Sequence, residues 1–184
     1  MMAARGNDLL RAARDEGEQR LSGDHPRITV GLGTCGKAAS AQAVFDELAA
    51  ALADSGRDDV VLDGVGCRGL CSAEPLVEAY RPDGEHVCFG RVTPQDAARI
   101  IAYATGGATD DDLGALAPLM LDEPLFAGEE RRVMERSGLI DPTSIGEYLA
   151  CGGYAAFIQA LEDANPAAII AEVEASGLRG RGGA

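Results

Sequence analysis

Cys67 and Cys71 are separated by three residues in the run Gly66-Cys67-Arg68-Gly69-Leu70-Cys71, and Cys35 stands earlier in Gly33-Thr34-Cys35-Gly36. Iron takes thiolates readily, and two thiolates at this spacing on a glycine-bearing loop can share one iron. The glycines let backbone N–H groups turn toward the sulfurs and stabilise their charge. Three other readings stand beside this one. Free cysteine packs as a small apolar side chain, which is the simplest account of Cys88 and Cys151. Zinc bound by Cys35, Cys67, Cys71 and His86 uses acceptable ligand types, but no Cys-x2-Cys pair is present. A disulfide catalyst of the thioredoxin kind needs Cys-x-x-Cys ahead of a helix, and this spacing is one residue longer.

A second chemical feature is the run Ser176-Gly-Leu-Arg-Gly-Arg-Gly-Gly-Ala184. Its glycines let backbone N–H groups approach a phosphate or a flavin ring, and Arg179 and Arg181 add positive charge. On composition alone such a run is a flexible tail. No nucleophile or acid–base constellation accompanies either feature. His25 and His86 have no partner in the sequence and read as surface residues.

The elements that must position these residues follow from periodicity. Residues 7–21 form a short amphipathic helix with Asn7 as N-cap. Arg27 to Gly33 is a strand ended by glycine, which places Cys35 just beyond it. Ser40 to Ser55 is a helix with Val44, Leu48, Ala51 and Leu52 on one face and Gly56 at its C-terminal end. Asp59 to Val65 is a second strand, followed by the Cys67 loop. Leu76 to Tyr80 and His86 to Phe89 form a hairpin around Pro82-Asp83-Gly84. Thr93 caps a helix opened by Pro94. Strand, helix and strand suit a right-handed βαβ unit, in which Cys35 can face the Cys67 loop, and the hairpin must be antiparallel. Residues 107–128 read as a linker, with three consecutive acids at Asp110–Asp112 in solvent. Beyond it, RRVMERSGLI reads as helical. Asp141-Pro142 opens the next helix, and Gly153 to Asp163 and Pro166 to Ala175 are two more.

Composition bounds the function. Of 184 residues 46% are hydrophobic and 25% charged, ordinary values for a globular chain, and 24 are glycine. The net charge of -14 is opposite to what a nucleic-acid backbone requires. No apolar stretch approaches the roughly 20 residues that span a bilayer. The N-terminus mixes charges with no apolar h-region, so no secretory signal is read there and a cytoplasmic setting is the default. Five scattered cysteines do not form a disulfide framework.

With these residues in place two resemblances emerge. Residues 28–106 resemble the thioredoxin-like [2Fe-2S] ferredoxin domain of the NADH dehydrogenase 24 kDa family, most closely the version fused ahead of the flavoprotein subunit in NAD-linked hydrogenases and formate dehydrogenases. The matching runs are Val30-Gly31-Leu32-Gly33-Thr34-Cys35-Gly36, Gly66 to Cys71, and Glu74-Pro75-Leu76-Val77. The family's ligand set is a Cys-x4-Cys pair and a Cys-x3-Cys pair. This chain has the second pair and one cysteine of the first, with Val30 and Ser40 five residues to either side of Cys35. Residues 136–148, Gly152-Gly153-Tyr154-Ala-Ala-Phe157 and 176–184 resemble the opening of the NADH-binding 51 kDa-type flavoprotein.

The implied architecture is α/β: an N-terminal helix and linker over 1–26, a thioredoxin-like ferredoxin domain over 27–106, a linker over 107–128, and the mainly helical start of a flavoprotein domain over 129–184. The implied function is an electron-transfer component of an NADH:acceptor oxidoreductase. Hydride exchanges between NADH and FMN, and single electrons then pass through iron–sulfur centres to partner subunits. The implied cofactors are FMN and NAD, with a [2Fe-2S] centre that Cys35, Cys67 and Cys71 hold or descend from, and a [4Fe-4S] centre beyond residue 184. Gly180, Arg181, Gly182, Gly183 and Ala184 are the implied FMN contacts. A thioredoxin-like docking module without a cluster is the alternative. Residues 1–184 alone are expected not to oxidise NADH.

Overall fold

The protein was analysed as a computed structural model, which describes residues 2–108, 110–113, 116, 118, 119 and 128–180. Five strands form one mixed sheet: β1 (Arg27–Gly31), β2 (Val61–Val65), β3 (Val77–Tyr80), β4 (His86–Phe89) and β5 (Pro118–Leu119), in the order β2-β1-β3-β4-β5. β1 and β2 are parallel, with Thr29 opposite Asp63. β3 runs antiparallel to β1, with Thr29 opposite Glu78, and β4 runs antiparallel to β3, with Glu78 opposite Cys88.

Alternation along the strands gives the sheet two unlike faces. Ile28, Val30, Val77, Ala79 and Phe89 point to one side and join the apolar core. Against them pack α3 (Ala41–Asp54), through Val44, Leu48 and Leu52, and α4 (Ala97–Ala104), through Ile100 and Ile101. Thr93 caps as expected, and does so in a capping box with Asp96 that was not foreseen, while Pro94–Asp96 makes a 3₁₀ turn ahead of α4. The register puts Arg27, Thr29, Asp63, Glu78 and Cys88 together on the other face.

Three expectations about the elements are corrected. The stretch over 107–128 read as a linker contributes Leu113 and Leu116 to the core and β5 to the sheet edge. Residues 131–140 form turns instead of a helix: Gly138 has φ +81, and Arg131 and Arg132 pair with Glu129 and Glu130 two residues back. The helix expected to open at Asp141-Pro142 starts three residues later as α5 (Ile145–Ala150), with Ser144 as N-cap accepting the Glu147 N–H at 3.2 Å. Asp141 closes a turn instead, its Oδ1 accepting from the Thr143 N–H at 2.8 Å. Elsewhere α1 (Met2–Leu21) starts before Asn7, so Asn7 lies inside the helix. A short helix not foreseen, α2 (Thr34–Ala38), carries Cys35.

The polar face of the sheet is covered by α1 and the segment leading into α5. Two glycines make the crossing possible. A Cβ on Gly17 would collide with the Gly146 carbonyl group, and one on Gly146 would lie 2.5 Å from the Ala13 carbonyl oxygen. Four charges close the space beneath the crossing. Arg20 pairs with Asp63 and, at 3.1 Å, with Glu147. Arg27 pairs with Asp63 at 2.8 Å and with Glu147 at 3.6 Å. Glu147 is 0% exposed and Asp63 2%.

Gly17→Ala is a sharp test of this crossing. In an isolated helix Ala is better than Gly by about 1 kcal/mol. Here the added methyl has no room, and denaturant melts are expected to show a loss of about 1–3 kcal/mol. A gain in stability would contradict the packing of α1 on α5.

Candidate functional site

The Cys67 loop leaves the end of β2 and enters a 3₁₀ turn at Cys71–Ala73. The two sulfurs lie 3.8 Å apart, and the Gly69 N–H reaches the Cys67 sulfur at 3.3 Å. Gly69 has φ +94, a conformation glycine adopts without strain. The loop after β1 touches this one. A Cβ on Gly33 would lie 2.9 Å from the Cys67 Cβ, so a glycine is needed at the contact. Cys35 follows in α2 and is exposed, as is Cys71, whereas Cys67 is half-buried. Burial raises the Cys67 thiol pKa, and the charges of Cys71 and Glu74 raise it further.

Glu74, which the sequence offered only as part of the matching run Glu74-Pro75-Leu76-Val77 and with no role, is 8% exposed beneath these loops. Its Oε2 accepts the Leu76 N–H at 2.8 Å. Oε1 has no partner among the described residues. Burial raises its pKa. The tight approach of α2 depends on Gly36, whose Cβ would collide with the Gly31 carbonyl oxygen and lie 3.1 Å from Glu74 Oε2.

Arg68 ties the loop to the sheet. Its Nη1 donates to both oxygens of Glu78, at 2.6 and 2.5 Å. Glu78 also accepts from Tyr80 Oη at 2.9 Å and bonds His86 Nε2 at 2.7 Å. His86 stacks on Tyr80 with centroids 4.2 Å apart. It is exposed, as expected from the sequence, but it is not unpartnered: it is a bonded member of this cluster and stands with Glu78. Burial alone would raise the Glu78 pKa, but His86 and Arg68 outweigh it and hold the carboxyl below its ordinary value. The stability Glu78 contributes is thus present above its unfolded pKa and lost as the pH falls through the lower folded value. Burial, with Glu78 next, pushes the Cys88 thiol up to about 12, and Cys88 is 2% exposed, in keeping with a packing role.

The helical segment meets the loop from outside. A Cβ on Gly138 would sit 3.1 Å from Arg68 Cγ, so the turn rests on the arginine stem. A cleft of about 530 Å³ lies alongside, lined by Gly66, Arg132, Arg136, Ile140 and Tyr148 among others. Of the implied FMN contacts, Gly180 has open space around it. Arg181, Gly182, Gly183 and Ala184 lie outside the described residues.

These residues fit a four-thiolate [2Fe-2S] centre poorly. Cys67 and Cys71 are together, but the described residues contain no group of three or more His, Cys, Asp or Glu side chains placed to hold a metal ion. Val30 is 0% exposed in the core, so that strand position offers hydrocarbon. Ser40 is exposed at the N-cap of α3. For the zinc alternative, His86 is bonded to Glu78.

The strand order and the two helices on the apolar face define an α/β protein with one mixed five-stranded sheet, joined to a helical region. No family model matches the chain. Among solved structures it is similar to the thioredoxin-like [2Fe-2S] ferredoxin from Aquifex aeolicus, with 21% identity and a TM-score of 0.41, over 48% of this chain and 93% of that one. A second structure of a thioredoxin-like [2Fe-2S] ferredoxin from that organism gives 18% identity and a TM-score of 0.42, over 48% and 87%.

The donor set predicts the outcome of anaerobic reconstitution with ferrous iron and sulfide. Iron and acid-labile sulfide should stay well below about two of each per chain, the content of a [2Fe-2S] centre. Full stoichiometry would contradict this reading.

Proposed function

We propose that this chain is part of an electron-transfer subunit of an NADH:acceptor oxidoreductase, and that its thioredoxin-like domain serves there as a docking module without a cluster of its own. In this reading the parent subunit exchanges hydride between NADH and FMN, chemistry that the flavin supplies. Electrons reach partner subunits through iron–sulfur centres carried elsewhere. Residues 180–184 are the segment of this chain we assign to FMN, through backbone N–H groups and the charge of Arg181. The motifs in residues 136–157 and 176–184 support the assignment to a flavoprotein subunit.

The observation that carries the docking role is the bare apolar surface of α6 (Ala155–Asp163) and α7 (Pro166–Ser176). Neither helix buries a residue. Phe157, Leu161, Ile170 and Val173 are each at least 60% exposed. Single exposed leucines are ordinary, whereas a contiguous apolar face marks a surface that other protein covers. The Arg20, Arg27, Asp63 and Glu147 network fastens the thioredoxin-like domain to α5, the helix that precedes α6 and α7 in the chain.

The test is made in the assembled parent complex. Leu161→Glu and Ile170→Glu should each weaken co-assembly roughly tenfold or more, the effect of removing a central apolar anchor. Far-ultraviolet circular dichroism of the isolated chain should stay unchanged. Assembly and NADH-dependent activity at the unaltered level would contradict the proposal.

A further inference from the structure

The sulfurs of Cys67 and Cys71 face each other at 3.8 Å on a loop with glycine at both Gly66 and Gly69. A disulfide requires a separation of about 2 Å. The remaining gap is small, and the chain between the two thiols contains the left-handed Gly69 that can absorb the adjustment. Cys71 is exposed and Cys67 half-buried. A reagent in solution therefore meets Cys71 first and finds Cys67 beside it. Neither sulfur belongs to a metal-holding group among the described residues. We propose that Cys67 and Cys71 form a reversible dithiol–disulfide couple, oxidised by low-molecular-weight disulfides, at the junction between the sheet and the helical segment.

The exchange proceeds in two balanced steps. The Cys71 thiolate attacks one sulfur of the small disulfide, forming a mixed disulfide and releasing one small thiolate, which takes up the proton Cys71 lost. The Cys67 thiolate then attacks the Cys71 sulfur, closing the Cys67–Cys71 bond and expelling the second small thiolate, which takes the Cys67 proton. Two protein thiols are oxidised and one small disulfide is reduced to two thiols.

The loop so closed carries Arg68, which holds Glu78 on the sheet and supports Gly138 on the helical segment. Drawing the two cysteines together acts directly on this anchor. The thiol state is thereby coupled to how the helical segment rests on the domain. This inference does not depend on the identity of the parent complex.

The full chain is equilibrated in mixtures of reduced and oxidised glutathione, quenched by alkylation and analysed by mass spectrometry. Under oxidising mixtures the peptide that holds Cys67 and Cys71 should carry a cross-link between them, two hydrogen atoms lighter than the dithiol form and without alkyl groups, while the exposed Cys35 is free to be alkylated or to carry one glutathione. Reduced glutathione should restore both thiols. Cys67→Ser and Cys71→Ser should each retain one glutathione as a stable mixed disulfide, whereas Cys35→Ser, altered at an exposed position, should cross-link like the wild type. Full alkylation of Cys67 and Cys71 under oxidising mixtures would overturn the proposal. So would a persistent mixed disulfide on Cys67 or Cys71 in the wild type, or a cross-link through Cys35.

Discussion

Two buried carboxylates, a buried arginine and a second, part-exposed arginine join the elements on one face of the sheet. Arg20 comes from α1, Arg27 from β1, Asp63 from β2 and Glu147 from α5, and each arginine bridges both acids. The set is neutral. That matters because an unmatched charge at this depth would cost several kcal/mol, whereas a closed ring of pairs leaves none unmatched. The remaining polar groups are also occupied: Arg27 donates to the Leu139 carbonyl at 2.8 Å, and Glu147 accepts the Asp141 N–H at 2.8 Å. One ring therefore fixes the helix before the sheet, two adjacent strands and the turn that opens α5. Apolar packing could cover the face equally well, but it would not dictate which turn of α1 meets which turn of α5.

The same face repeats the solution one strand over. Asp63, Thr29, Glu78 and Cys88 lie in a row across β2, β1, β3 and β4, and Glu78 is neutralised by Arg68 from the cysteine loop. The loop is thus held by a buried charge as well as by its own turns. Thr29 Oγ1 has no hydrogen-bond partner among the described residues, and it borders a cavity of about 10 Å³, close to the space one water needs. On the opposite face α3 and α4 bury hydrocarbon in the usual way. The sheet divides the labour: one side supplies stability, and the other positions the thiols and joins the helical segment.

Much of this was legible in the chain. Strong periodicity marked α3, and Pro82-Asp83-Gly84 marked the hairpin, because those signals are local. The alternation Arg27-Ile28-Thr29-Val30 announced a strand but not that its polar side would be buried, since the partners lie as far away as residue 147. His86 looked unpartnered for the same reason: its acceptor Glu78 is brought opposite only by the hairpin. The 131–140 run was misread because its charges suit a helix, while Gly138 and the arginine stem beneath it impose a turn. At the site, spacing identified Cys67 and Cys71, and the glycine between them does turn an N–H toward sulfur. Glu74 stood in a matching run without a role, because the place it takes beneath the loops shows only in its burial.

The functional consequence rests on the ring of charges, because it fixes α1 and the start of α5 on the cysteine-bearing sheet. Native-state hydrogen exchange on Glu147→Gln, compared with wild type, tests this most directly. Losing one carboxylate leaves Arg20 and Arg27 sharing Asp63, a cost of about 3 kcal/mol, or roughly a hundredfold in local opening. Amides of α1, α5 and the turn at Leu139 should lose protection together by that factor, while β1 and β3 keep theirs. Unchanged protection in α1, with any effect confined to α5, would contradict the account.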